Sequence, residues 1–124
     1  MMEDSELTGL VIGAAIEVHR VLGPGLLESI YQKSLEIEFK LPGITALAQS
    51  RVPLQYKGHE LGDDLVMDFY FPNKLVVELK SASTIVPVHV AQTLSYMKLS
   101  HVPLGLLINF NVPVLKEGIK RLAL

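Results

Sequence analysis

Asp68-Phe69-Tyr70-Phe71-Pro72-Asn73-Lys74-Leu75-Val76-Val77-Glu78-Leu79-Lys80 is the stretch that decides the fold. It reads as two strands and a tight connection. Leu65, Met67, Phe69 and Phe71 alternate with other residues before the turn, and Leu75, Val77 and Leu79 alternate after it. A period of two marks half-buried strands. Pro72-Asn73-Lys74 supplies the chain reversal. A three-residue loop sets Phe71 opposite Leu75, Phe69 opposite Val77 and Met67 opposite Leu79, all on one face. The other face then pairs Asp68 with Glu78 and Val66 with Lys80. A slip by one residue would set Asp68 against Val77 and mix the two faces. The hydrophobic pattern therefore selects the register that brings two carboxylates together, about 5 Å apart at Cβ.

Opposed carboxylates repel unless a cation lies between them. Lys80, on the same face two residues on, is one such cation. A divalent metal is the other, since carboxylate oxygens and waters are the ligands that Mg²⁺ favours. A charged solvent face on an edge hairpin accounts for the same residues without any ligand.

The rest of the chain bounds what this hairpin belongs to. Its 124 residues suit one domain, 1–124, with one core. Hydrophobic residues make up 49% and mean hydropathy is +0.36, which suggests a well-buried sheet and a homodimer interface. With no cysteine there is no disulfide framework, thiolate metal site or cysteine nucleophile, and a reducing cytoplasm fits. The net charge of −2 argues against a strongly basic nucleic-acid binder. The charge is uneven, however. Residues 1–68 carry 5 Lys/Arg against 11 Asp/Glu, and residues 69–124 carry 6 against 2. The second half could thus present a positive surface to a phosphate-bearing partner. The acidic start, Met1-Met2-Glu3-Asp4, lacks the basic character expected of a signal peptide. The long charge-free run from Leu99 to Leu115 is broken by Pro103, Asn109, Asn111 and Pro113, so a buried strand with loops is expected there and no membrane span.

Before the hairpin, Leu7, Leu10, Val11, Ala14, Ala15, Val18 and Leu22 recur every three or four residues. They predict a helix that starts near Ser5 or Thr8 and ends at Gly23-Pro24-Gly25. A second helix is expected from Leu26 to Leu41, stopped by Pro42-Gly43. No Gly-Lys-Ser/Thr follows Gly23-Pro24-Gly25, so this is helix punctuation rather than a phosphate loop. Thr45 to Tyr56 reads as a strand and Lys57-Gly58 as the turn into the hairpin. Pro87 opens a helix to about Leu99. Leu104 to Asn109 is a buried strand, and Ile119 to Leu124 a short last one. The order predicts an α/β domain with a mixed sheet and helices packed on it.

Four features then stand together: Gly25-Leu26-Leu27-Glu28-Ser29-Ile30-Tyr31 (G-x-x-E-x-x-Y), Asp68, Glu78-Leu79-Lys80 (E-x-K) and Gln92-Thr93-Leu94-Ser95-Tyr96 (Q-x-x-x-Y). Gln92 and Tyr96 share a helix face at i, i+4. In combination these resemble the GxxExxY protein family, a branch of the PD-(D/E)XK nuclease superfamily, from about Leu7 to Leu124. The resemblance implies a restriction-endonuclease-like fold with an αβββαβ core. It implies hydrolysis of phosphodiester bonds in nucleic acid, DNA or RNA, with Mg²⁺ as cofactor and Mn²⁺ able to substitute. Asp68 and Glu78 correspond to metal-binding carboxylates, and Glu28 to a helix carboxylate that completes the metal site directly or through water. Lys80 corresponds to the lysine that orients the attacking water and offsets charge in the transition state. Gln92 and Tyr96 correspond to residues that support the site or touch the nucleic-acid backbone.

Relatives often carry a basic residue two before the aspartate, where this chain has Val66. That departure leaves open a nuclease fold serving as a non-catalytic nucleic-acid-binding or regulatory protein. A structural subunit that pairs through an apolar surface is a third reading. Each residue also has a plainer role. Glu28 suits a helix N-terminus by its charge, Tyr31 suits a core or supporting aromatic, and Lys80 suits a simple charge partner. His19 suits packing or capping, and His59, His89 and His101 have no metal-ligand spacing with one another.

Overall fold

The computed structural model describes residues 3–124, so Met1 and Met2 of the acidic start lie outside the described residues. The elements run α1 (Asp4–Leu22), α2 (Glu28–Lys40), β1 (Leu47–Tyr56), β2 (His59–Phe71), β3 (Leu75–Lys80), α3 (Pro87–Ser100), β4 (Leu104–Asn109), a 3-10 turn (Leu115–Gly118) and β5 (Ile119–Ala123). The five strands form one mixed sheet in the order β1-β2-β3-β4-β5, with β3 and β4 parallel and all other neighbours antiparallel. The predicted order of elements matches this one, and the boundary differences lie within a few residues at helix and strand ends.

Two apolar layers hold the sheet. On one face, α1 and α2 bury Leu7, Val11, Ala15 and Val18, and Tyr31, Leu35 and Phe39, against Phe69, Val77, Leu79, Leu106 and Ile108. The spacing of three and four residues in both helices is what gives each one an apolar stripe. On the other face, α3 packs Tyr96 and Met97 against Met67, Val76 and Val102. This layer is closely fitted. A Cβ at Gly105 of β4 would overlap the thioether of Met97, so any larger residue there would have to displace the Met97 side chain of α3. β3 is central and buried on both faces, as expected of a strand with a parallel neighbour.

The β2–β3 turn forms as its sequence predicts. Lys74 N–H donates to Phe71 O at 2.9 Å, and Asn73 takes the left-handed conformation at φ 65°, which asparagine tolerates better than most residues. The predicted pairs Phe71–Leu75 and Phe69–Val77 are present. The ladder ends there. Met67 does not continue the Phe69 layer opposite Leu79: Met67 packs with Val76 under α3, whereas Leu79 and Phe69 lie in the α1–α2 layer. Val66 pairs with Arg51 of β1, not with Lys80. The face switch falls at Asp68. Across from it on β1, Gln49 adopts φ 51°, and the regular partners Ala48–Phe69 and Ser50–Met67 flank the irregularity. An irregularity of this kind increases local twist and re-aims side chains.

Beyond Met67, β1 and β2 continue as a two-stranded arm closed by Lys57-Gly58. Both turn residues have positive φ, the signature of a type I′ hairpin turn.

Candidate functional site

At Asp68 the hairpin opens into a fork, and carboxylates replace the missing ladder bonds. Leu79 N–H donates to Asp68 Oδ2 at 2.8 Å, and Asp68 N–H donates to Glu78 Oε1 at 3.3 Å. Each acid therefore serves the strand that carries the other. Asp68 is held further by Gln49 Nε2, which donates to its Oδ1 at 3.2 Å, and by Gln32 Nε2 of α2, which donates to its carbonyl at 3.1 Å. The left-handed Gln49 is thus the residue that aims an amide at the acid.

The two carboxylates have different surroundings. Asp68 is half-buried and opens on a groove of about 430 Å³ between α2 and the sheet, together with Glu28, Gln32, Lys33 and Glu36. Glu78 is only 5% exposed. Burial first, and the Asp68 charge second, push the Glu78 carboxyl up to about 9, against a weaker pull from Lys80. A glutamate that resists ionisation this strongly is a group to which a cation would bring large relief. Lys80 is half-buried at the end of β3, and its carbonyl accepts Phe110 N–H at 2.9 Å.

The α3 motif faces the same carboxylates. Tyr96 is 8% exposed, and its phenol is raised by burial and then by the charges of Glu78 and Asp68. Gln92 Nε2 donates to Tyr96 Oη at 2.9 Å.

The α2 motif works differently for its two named residues. Glu28 is exposed as the first residue of α2 and lies on the groove with Asp68. Among the described residues no group of three or more His, Asp or Glu is gathered closely enough to hold a metal. The structure thus brings Asp68 and Glu78 together and leaves Glu28 in the groove wall. Tyr31 is fully buried and stacks on Phe110 with ring centroids 4.3 Å apart. Its hydroxyl donates to Gly23 O at 2.6 Å and accepts Leu26 N–H at 3.2 Å. Tyr31 therefore fixes the loop from which Glu28 projects.

Besides Gln32 and Gln49, two more supporting residues lie outside the motifs of the sequence. Ser81 Oγ donates to Leu26 O at 2.5 Å, tying that same loop to the residue after Lys80. Asn109, buried at the end of β4 beside Lys80, accepts Ala82 N–H at 3.1 Å and donates to Ala82 O at 3.0 Å. A polar residue closing the apolar run Leu104–Ile108 was the available signal for Asn109. Ser81 carried none beyond its adjacency to Lys80.

Carboxylates, amides and a lysine, with no thiolate, suit a hard divalent cation. Mg²⁺ in particular accepts one or two carboxylates and completes its shell with water. A mixed sheet with helices on both faces, forked at paired acids, has a restriction-endonuclease-like architecture. A family model described as the PD-(D/E)XK nuclease superfamily matches residues 5–122, and the chain belongs to that superfamily. No curated protein and no solved structure gives a significant match. No helix among the described residues is long and apolar enough to cross a membrane.

Proposed function

We propose that this protein is a Mg²⁺-dependent nuclease that hydrolyses phosphodiester bonds in nucleic acid, within the GxxExxY branch to which its G-x-x-E-x-x-Y run points. One observation carries the reading: the reciprocal placement of Asp68 and Glu78 at the fork, where a buried acid is short of a cation. Asp68 and Glu78 would hold the ion, with Glu28 reaching it directly or through water. When bound, the ion polarises the scissile phosphate and lowers the pKa of a coordinated water. Lys80 orients the attacking water and stabilises charge building on the phosphorus oxygens. Gln92 holds the Tyr96 hydroxyl toward the acids. Tyr31 and Ser81 keep the Glu28 loop and the end of β3 in fixed relation, so that groups from two elements meet one phosphate.

Val66, which stands where relatives often carry a basic residue, favours one rival, a nuclease fold that binds nucleic acid without cutting it. A cleavage assay on single- and double-stranded DNA and RNA with Mg²⁺ or Mn²⁺, run beside metal titration, decides between them. Cleavage and metal-induced thermal stabilisation are expected for the unaltered chain, and Asp68→Asn should lose both. Metal binding without turnover on any substrate would select the rival. No response to millimolar Mn²⁺ would remove the basis for either metal role.

A further inference from the structure

The strand order turns the uneven charge of the sequence into a separation in space. The β1–β2 arm, at one side of the sheet, carries Glu60, Asp63 and Asp64 against Lys57 and Arg51, with Arg51 paired to Asp64 at 3.8 Å, which leaves the arm acidic by one charge. β5 and its preceding turn, at the far edge, carry Lys116, Lys120 and Arg121 against Glu117. All three cations are exposed, and none takes part in an ion pair among the described residues.

Register relates this edge to the site. Glu78 pairs with Leu107, and Leu107 with Lys120. Paired residues share a face, so Lys120 stands on the α3 face in the same row as Glu78. Two strand spacings, about 10 Å, separate their backbones, which is roughly three nucleotide rises of a duplex. In the neighbouring row Val77 pairs with Leu106 and Leu106 with Arg121, so Arg121 stands on the opposite face. β5 is an edge strand, and its outer backbone N–H groups have no strand partner. The edge thus offers cations on both faces with free N–H groups between them.

We infer that the β5 edge is a phosphate-backbone anchor for the nucleic acid, outside the site and about three nucleotides from the scissile bond. Lys120 and Arg121 grip the backbone from the two faces, and Lys116 extends the contact. The acidic arm turns the polymer away from the other side. The inference rests on the nuclease-fold reading above and names where its substrate lies.

The test measures binding of short and long oligonucleotides, DNA and RNA, across a salt series by fluorescence anisotropy in Ca²⁺ buffer. Lys120→Ala and Arg121→Ala should each lower the dependence of log affinity on log salt by about 0.7–0.9 for long strands, the release expected per phosphate contact. Short strands confined to the site should be unaffected. Lys57→Ala on the arm, with the same change in net charge, should leave the slope unchanged. Equal slopes for all three variants and the unaltered chain, or an equal fall for Lys57→Ala, would overturn the anchor while leaving the site intact. Loss of self-association in the β5 variants with nucleic-acid binding unchanged would assign the edge to the acidic arm of a second copy, and would also overturn it. No binding of any nucleic acid by the unaltered chain would overturn the reading of the site, and the anchor with it.

Discussion

The two ends of the β2–β3 hairpin are built from the same strands and differ in what holds them. At the turn end, Phe71–Leu75, Tyr70–Val76 and Phe69–Val77 form a regular ladder, apolar on both faces. At the fork end, only one residue further on, Asp68 and Glu78 side chains take the bonds that backbone would otherwise make. The closed end can be satisfied only by water-free packing. The open end is satisfied by groups that can also turn toward a ligand. Stability and chemistry are thus adjacent on one hairpin, separated by the face switch at Asp68, and substitutions at the two ends should fail in different ways.

The largest effect should come from the closed end. Phe69 is fully buried, and its ring meets Phe39 edge to face at 4.9 Å. Phe69→Ala should cost about 3–5 kcal/mol in denaturant unfolding. A cost below about 1 kcal/mol would show that the ladder end does not anchor the sheet.

Next comes Lys80, where stability should hardly move and turnover should fall. Lys80→Met is expected to retain metal and nucleic-acid binding but to lower cleavage by about 10²-fold or more, the scale for losing a positioned electrostatic or acid–base group. Cleavage at the full rate would reduce Lys80 to a charge partner of the acids.

Acidity separates the ends across a range of pH. Folded Glu78 keeps its proton up to about pH 9, whereas an ordinary glutamate releases it near 4.5. The folded state therefore binds more protons than the unfolded state between those values. The stabilisation is full below about pH 4.5 and is lost as pH rises to 9. The metal-free protein should lose Tm steadily from pH 5 to 9, and Glu78→Gln should flatten that decline. Parallel curves for the two proteins would mean that Glu78 is ionised in the fold.

The smallest effect lies at the turn. Asn73→Ala places a Cβ residue without a local hydrogen-bonding side chain at φ 65°, and should cost about 1 kcal/mol. Asn73→Gly should be near neutral. Thermal melts of the pair check this, and equal losses would point to a role for the asparagine amide itself.

The same contrast explains what was legible in advance. Periodicity reports which residues face an apolar layer, so α1, α2 and the turn register could be read from spacing, while Pro87 marked the start of α3 and the apolar run Leu104–Ile108 marked β4. It presumes an unbroken ladder and so predicts Met67 in the layer of Phe69 and opposite Leu79, whereas Met67 packs under α3. The break is caused by contacts between residues far apart in sequence: Gln49 with Asp68, Gln32 with Asp68, and Asp68 with Leu79. A left-handed glutamine has no signature, because glutamine does not favour that conformation. Asp68, Glu78, Lys80, Glu28, Gln92, Tyr96 and Tyr31 could be picked out because their residue types and intervals resemble a family. The way Tyr31 acts, through Gly23 and Leu26, could not.

The Leu79 amide carries a practical consequence. Its proton is bonded to a side chain inside the fork, so it is a spectroscopic reporter located at the site without any label. Whatever draws the Asp68 carboxylate aside takes that proton's acceptor with it. The Leu79 resonance should then move and its exchange with solvent should quicken, while amides at the turn end of the same hairpin stay still. Occupancy of the site could be followed, residue by residue, in a protein that has turned over nothing.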